Sequence, residues 1–445
     1  MREFVGDTMM SMDLNSMADI DDLCNPVSVI EESQSLAADA FGADRAYFLV
    51  NGTTSGIQAM MIAAARPGES IILPRNCHKS AYAGLIISGA VPVYAPVSVN
   101  EELGISMTLS IDDLEETYKK APNAVALFVV NPSYYGYAGD LKRMVRIAHN
   151  YNSAVLVDEA HGCHMSFNDR LPLTAMESGA DMAAVSMHKT GGALTQSSIL
   201  LTRGNRIPQD TFKESLDILR TTSSSYLLMV SLDLARKQLA MEGRALLGNA
   251  IKLAGEARKQ INKIDGLYAF GRELARKNVA DFDETKLNVH VGRLGLTGYQ
   301  VERLLREEHG IQIELADLGN IMAIVTIGDT EENVTRLVEA LRKIAEGREI
   351  KKEHTTPVPP SMPSVIVTPR DAFYSEKKSI PLEQAAGEIC GEMVMSYPPG
   401  IPVVCPGEKI DNDIIDYIKL LKDQKCNFHG TQDPLVDQVR VLGLG

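Results

Sequence analysis

Several features are scarce in this 445-residue chain, and each scarcity removes a class of protein. No apolar run approaches the roughly 18 residues that a membrane span needs. The six cysteines (Cys24, Cys77, Cys163, Cys390, Cys405, Cys426) show no Cys-x-x-Cys spacing, so reduced thiols are expected instead of a zinc site or a disulfide framework. Basic residues are outnumbered 44 to 58, and a net charge of -14 repels polyanions, which weighs against a nucleic-acid partner. The opening "MREFVGDTMMSMDLNSM" lacks the basic head, apolar middle and small-residue cleavage site of a secretory signal, so a cytoplasmic location is expected. There is no internal repeat or low-complexity tract.

What is present reads as folded protein. A hydrophobic content of 45% and a charged content of 23% are ordinary for globular chains, and the length exceeds one usual core. From about residue 45 to 205, short apolar runs alternate with helical stretches: "IILP" (71–74), "VPVYA" (91–95), "VALFVV" (125–130), "AVLVD" (154–158), "MAAVS" (182–186) and "SSILLT" (197–202). Between two of them, "DLKRMVRIAHNYN" places Leu141, Met144, Val145, Ile147 and Ala148 on one helical face. This alternation predicts an α/β class with a mostly parallel sheet covered on both faces, whose chemistry gathers at the strands' carboxyl ends. Around 208–263 the pattern turns helical for a long way ("TFKESLDILR", "LLMVSLDLARKQLAMEGRALL"), as a helix connecting two domains would. A smaller α/β unit follows, with strands in "KLNVHVGRL", "IQIELAD" and "IMAIVTIG", a helix opened by Thr297 and stopped by Gly310, and another burying Val334, Leu337, Val338 and Leu341. A Pro-rich connector near 349–364 precedes a unit built around "YPPGIPVVCPGE" (397–408). The expected division is an N-terminal segment 1–20, a large domain 21–263, a small domain 264–349 and a C-terminal domain 350–445.

The run "AVLVDEAHGCH" admits two readings. Asp158-Glu159-Ala160-His161 matches the acidic strand end of a nucleotide-driven motor, but such a motor needs a G-x-x-x-x-G-K-[ST] phosphate cradle, and no Gly-Lys pair occurs in the chain. The other reading is an acid beneath a cofactor ring. A pyridoxal phosphate enzyme requires a lysine for the Schiff base, a carboxylate opposite the pyridinium nitrogen and a phosphate-binding turn. "AVSMHKTGGA" offers Lys189 just past a buried strand, followed by glycines that let backbone crowd a cofactor. Asp158 ends the preceding strand, where a buried carboxylate needs a partner. "NGTTSGIQAMM" offers Thr53, Thr54 and Ser55 where a helix begins, with Gly52 and Gly56 relieving crowding. By itself that turn reads equally as a capped helix start.

Taken in order, "FLVNGTTSGIQAMM", "PRNCHKS", "NPSYYGYAGDL", "VLVDEAHG", "SMHKTGGALTQSSILL", "LRTTSSSYLLMVSLD" and "YPPGIPVVCPGE" resemble the pyridoxal phosphate-dependent ornithine/lysine/arginine decarboxylases, in the short form common in Gram-positive bacteria. The resemblance covers nearly the whole chain from about residue 15. It implies the fold type I, aspartate aminotransferase-like architecture. By position it implies that Lys189 carries the Schiff base, Asp158 partners the pyridine nitrogen, His78 stacks on the ring and His161 lies near the cofactor. It further implies that Ser186 and His188 touch phosphate or substrate, and that Thr53, Thr54 and Ser55 form the phosphate cup. Thr221, Thr222 and Ser223 look like the segment a second subunit lends to that cup, which implies a homodimer.

For the reaction, the resemblance implies decarboxylation of a basic amino acid, arginine ahead of lysine and ornithine, with Lys189 or His188 returning a proton to the α-carbon. A cationic side chain calls for an acid, and Glu408 and Glu392, which flank a proline-fixed loop, are the candidates. The sequence departs from the family where it starts after the usual P-G-H-K-G-G element. A catalytically impaired relative with a binding or regulatory role is therefore an alternative expectation. An aminotransferase is another, since Asp158 and Lys189 would serve it equally; its α-carboxylate clamp would fall to Arg293.

Overall fold

Apolar runs of four to six residues bounded by turns are what a doubly covered sheet requires, and in the computed structural model seven such runs pair side by side. The structure describes residues 1–17, 19–275, 279–351, 357, 360, 362–396 and 400–443. The strands are β1 (Arg45–Leu49), β2 (Ser70–Pro74), β3 (Val91–Ala95), β4 (Ala126–Val130), β5 (Ala154–Asp158), β6 (Met182–Val185) and β7 (Ser198–Thr202). They lie in the order β1-β7-β6-β5-β4-β2-β3, with β7 antiparallel to both neighbours and the run from β6 to β3 parallel. Of these, β1 was not expected; it closes the sheet edge by pairing Arg45–Leu49 with Thr202–Ser198.

Helices cover the sheet. The helix α1 (Gly52–Ala64) follows β1, α2 (Lys79–Ser88) follows β2, and α3 (Leu141–Asn150) lies ahead of β5. Asp140 caps α3 through the Arg143 N–H, and Leu141, Met144, Val145 and Ala148 are buried, as the spacing predicts. Gly56 permits α1 to lie against the sheet: a Cβ there would meet Leu49 Cδ1 at 2.7 Å and Leu200 Cδ1 at 3.2 Å. A four-residue helix, α4 (Met187–Thr190), turns directly out of β6.

The expected helical stretch after residue 208 divides. One helix runs Gln209–Leu219, Arg220 is extended, and α5 (Tyr226–Ile261) begins after the exposed Thr221–Ser223 turn. At 36 residues, α5 is about 54 Å long. Its first turns bury Met229, Leu232 and Leu239 in the large core, and its last turns bury Ala254, Ala257 and Ile261 in a second core. One rod is thus embedded in two cores.

The second core is formed by the sheet β8 (Tyr268–Phe270), β9 (Lys286–His290), β10 (Leu315–Ala316) and β11 (Asn320–Ile324), in the order β8-β9-β11-β10. Against it pack α6 (Gly298–His309), opened by a Thr297/Gln300 capping box and ended by left-handed Gly310, and α7 (Glu331–Ala345). The strand expected over "IQIELAD" shrinks to two residues, because the Asp317 carboxylate captures the Gly319 and Asn320 N–H groups and turns the chain. A third core, around Val394, Val404, Ile414, Ile418 and Val441, belongs to the C-terminal part; residues 397–399 of its expected loop lie outside the described residues. No described helix is long and apolar enough to cross a membrane, and all six cysteines are unpaired.

Candidate active site

The parallel strands β4, β5 and β6 end level with one another, Val130 beside Asp158 and Asp158 beside Ala184. Residues emerging from these ends therefore converge. They line a cavity of about 310 Å³, within the size range of cofactor pockets. Its walls include Gly52, Thr53 and Thr54 at the start of α1, His78 and Ser80 at the start of α2, Asp158 and His161 after β5, and Ser186, His188 and Lys189 at α4.

Lys189 and His161 are in contact, with Lys189 Nζ 2.9 Å from His161 Nε2. Burial lowers the proton affinity of Lys189, while Asp158 and Glu314 oppose the change. His161 is held far below its ordinary range, first by burial and then by the charge of Lys189. The neutral imidazole therefore accepts from the amine, and its Nδ1 has no hydrogen-bond partner among the described residues. Asp158 is buried and its carboxyl is pushed up by desolvation, against the Ala160 N–H, 3.1 Å from Oδ1, and the charge of Lys189. A carboxylate in this state gains from any cationic partner brought into the cavity.

His78 caps α2, its Nδ1 accepting from the Ser80 N–H at 3.2 Å and lying 2.9 Å from Ser80 Oγ. Burial, then Lys189 and Lys79, lower it to about 4, so the ring is neutral at physiological pH. His188 is lowered by burial too, and its Nδ1 lies 3.1 Å from the Ser197 carbonyl. Thr53 Oγ1 sits 2.5 Å from Ser186 Oγ and 2.9 Å from Ser198 Oγ, which ties the start of α1 to the ends of β6 and β7. The Gly52 N–H donates to the Gln196 carbonyl.

Other residues singled out from the sequence lie away from this cavity wall. Ser55 is not part of the cavity wall, because its hydroxyl turns back to the Gly52 carbonyl at 2.9 Å. The glycines after Lys189 serve the interior: a Cβ on Gly191 would meet Met187 O at 2.9 Å and Cys163 Sγ at 3.1 Å. Glu408 is 1% exposed and ion-paired with Arg75 Nη2 at 2.9 Å, and it accepts the Cys405 N–H. Glu392 is likewise occupied, accepting the Gln432 and Arg440 N–H groups. Neither acid lines the cavity, because each is consumed in joining pieces of the C-terminal part or in docking that part onto the end of β2. Thr221, Thr222 and Ser223 are exposed and do not reach this chain's own cavity. Arg293 is exposed, donating to the Lys351 carbonyl, and lies outside the cavity.

Other wall residues were not singled out from the sequence. Tyr134, from the turn after the cis Asn131–Pro132 bond, packs edge-on against His161 with ring centres 5.0 Å apart. Asn51, Thr195 and Gln196 complete the rim beside Gly52 and Thr53. Outside that wall, exposed Glu314 acts electrostatically on both Lys189 and His188, raising their proton affinity. Its place in an apparently alternating strand concealed it.

Comparison with known proteins agrees with this geometry. The sequence model described as the Orn/Lys/Arg decarboxylase major domain matches residues 1–290, and that of the C-terminal domain matches residues 349–435. The chain is 45% identical to an arginine decarboxylase of Bacillus subtilis (strain 168) over 99% of its own length and 91% of that protein. It is 44% identical to one from Halalkalibacterium halodurans over the same shares. Among solved structures, lysine decarboxylase A from Pseudomonas aeruginosa superposes with a TM-score of 0.86 at 19% identity, covering 99% of this chain and 75% of that one. An alanine–glyoxylate aminotransferase from Nostoc sp. superposes with a TM-score of 0.59 at 17% identity over 76% and 91%, a likeness of fold alone. Matched along nearly its whole length, the chain belongs to the Orn/Lys/Arg decarboxylase family.

Proposed function

We propose that the protein releases carbon dioxide from a basic amino acid, arginine ahead of lysine and ornithine, with pyridoxal 5'-phosphate held in the cavity. The observation that carries this reading is Asp158 and Lys189 lining one cavity, each perturbed by burial in the direction that cofactor binding relieves. The arginine decarboxylases at 45% and 44% identity favour arginine as substrate.

The residues present fit the cofactor. The first turn of α1, with Thr53, Thr54 and the hydroxyl of Ser186, offers donors for a phosphate at a helix start. Asp158 is the partner for the ring nitrogen, neutral His78 the platform for the ring face, and Lys189 the amine that holds the cofactor. When bound, pyridoxal phosphate supplies the electron sink for the pair left by departing carbon dioxide. Lys189, whose proton affinity is already lowered, is suited to receive a proton and return it to the substrate's α-carbon, with His161 holding the amine in place. His188 is the second candidate for that transfer, because its bond to Ser197 leaves Nε2 for substrate.

For the substrate's distal cation we assign Glu314 in place of Glu408 and Glu392, since its carboxylate is exposed and its charge reaches Lys189 and His188. Exposed Thr221–Ser223 suit a homodimer in which each chain completes the other's phosphate cup. Six unpaired thiols suit the cytoplasm.

The decisive assay measures carbon dioxide and amine production from arginine, lysine and ornithine, with the Lys189→Ala variant alongside. The expected result is turnover on arginine, and loss in the variant of both turnover and the visible absorbance of lysine-bound cofactor. A variant that keeps the band has the wrong lysine. Cofactor absorbance without amine from any of the three would support the impaired-relative reading.

A further inference from the structure

Next to Lys189 in the chain, and outside the cavity wall, Thr190 meets a set of buried polar groups that the reaction described above does not use. Thr190 Oγ1 is 3.1 Å from His164 Nδ1 and 3.0 Å from Cys163 Sγ. His164 Nε2 is 3.1 Å from Asp283 Oδ2 and 3.3 Å from Thr285 Oγ1. The other Asp283 oxygen accepts from Thr285 N–H at 3.0 Å and from its hydroxyl at 2.7 Å. Lys286 Nζ lies 3.7 Å from Asp283 Oδ2, and the side chains of Asp283 and Lys286 are both 0% exposed. With Nε2–H directed at Thr285 Oγ1, whose own hydroxyl proton goes to Asp283, His164 accepts the Thr190 hydroxyl proton at Nδ1, so the chain of contacts has a defined direction. It also joins two cores: Thr190 and His164 come from the large domain, Asp283 from the approach to β9 and Lys286 from its first residue. Buried charges at such a junction are costly unless they are paired, as Asp283 is with Lys286.

We propose that Asp283, His164 and Lys286 are positioning residues that set the protonation of the Lys189 amine from outside the cavity wall, mechanically through Thr190 and electrostatically through the Lys286 ammonium. The proposal rests on Lys189 being the cofactor-bearing lysine. The charged and titratable groups acting on Lys189 are Asp158, His161 and His78 around the cavity, His188 on its own turn, Glu314 from the small domain, and Lys286 from β9. Of the last three, only Lys286 is fully buried, so its field is the least screened. The same ammonium acts on His161 and Cys163. Asp283, held strongly ionised by His164 and Lys286 despite its burial, is the counter-charge that moderates it.

The test titrates the visible band of the lysine-bound cofactor in the holoenzyme against pH. Lys286→Met should move its midpoint up by about half a pH unit or more, Asp283→Asn should move it down, and the double variant should return near the parent. Thr190→Val should lower kcat by between about fivefold and a hundredfold at unchanged KM. If Asp283→Asn does not fold, Lys286→Met and Thr190→Val carry the test by themselves. Midpoints that stay within about 0.2 unit of the parent in Lys286→Met, or that shift in the same direction in both charge variants, overturn the proposal. Lys189→Ala separates the two readings. If it keeps the band, the functional assignment has failed; if it loses the band while the charge variants leave the midpoint unmoved, only this inference has failed.

Discussion

Two carboxylates, Glu314 in an alternating apolar run and Glu408 in a Pro-Gly turn, end in opposite circumstances, and the difference decides how each substitution should read. Glu314 is exposed and its charge acts on Lys189 and His188, whereas Glu408 is buried against Arg75. A charged hydrogen bond to a substrate's cationic end is worth roughly 1.5–3 kcal/mol, so Glu314→Gln should raise KM for arginine by roughly tenfold or more with a small change in kcat and none in thermal stability. Glu408→Gln should do the reverse. It leaves the Arg75 guanidinium buried without its counter-charge, and the expected loss is about 3–5 kcal/mol of stability, with the KM of the surviving folded protein unchanged. Steady-state kinetics beside thermal unfolding of the two variants distinguishes the roles. A KM effect confined to Glu408→Gln would return the substrate acid to the C-terminal loop.

At the scale of the element, the turn from β2 into α2 carries two loads. Arg75 donates to the Pro402 and Val403 carbonyls, to Tyr82 and to Glu408, while three residues on His78 caps α2 and lines the cavity. Arg75→Met keeps much of the volume but removes four donors, so the C-terminal part should loosen first and cofactor affinity should fall with it as His78 loses its fixed approach. Hydrogen exchange should show lost protection at residues 402–405 and 79–82, with β4 to β6 little affected. Much of this architecture was legible beforehand. The runs ending at Asp158 and Ser186 are apolar throughout because both sheet faces are covered, and the meeting of Asp158 and Lys189 in one cavity follows from two such runs lying side by side. The Thr297 start and Gly310 stop of α6 are written in residue types that serve few other purposes. The substrate acids were not legible, since a glutamate in a Pro-Gly turn looks the same whether it faces a ligand or a buried arginine. Asp317 shortened a strand through side-chain bonds that periodicity does not register.

For the whole molecule, the cofactor-free protein holds opposing proton linkages that cofactor binding should rebalance. Asp21, accepting the N–H groups of Asp22, Val27, Ser28 and Ile30, is held down at about 2 by those bonds against the burial that would raise it. Its folded pKa is depressed, so its contribution is present above about 4 and is lost as pH falls toward 2. His78 is depressed to about 4, so the unfolded chain takes up a proton first and stability falls as pH drops from about 6.5 to 4. Asp158 has the opposite sign: its carboxyl is raised by burial, so in the cofactor-free protein stability declines as pH rises from the unfolded value, near 3.8, through the folded one. A protonated ring nitrogen against Asp158 removes that penalty, and a Lys189 amine of lowered proton affinity is increasingly free to bind cofactor over the same direction of pH. The rise in Tm on adding pyridoxal phosphate should therefore be larger at pH 8 than at pH 5, by an amount that follows the change in affinity. Asp158→Asn, neutral at both pH values, should reduce this difference while leaving the acid-side losses from Asp21 and His78 in place. Calorimetry of the cofactor-free and cofactor-loaded protein at the two pH values measures it, and a Tm gain equal at pH 5 and pH 8 in the parent would mean that Asp158 does not meet the ring nitrogen.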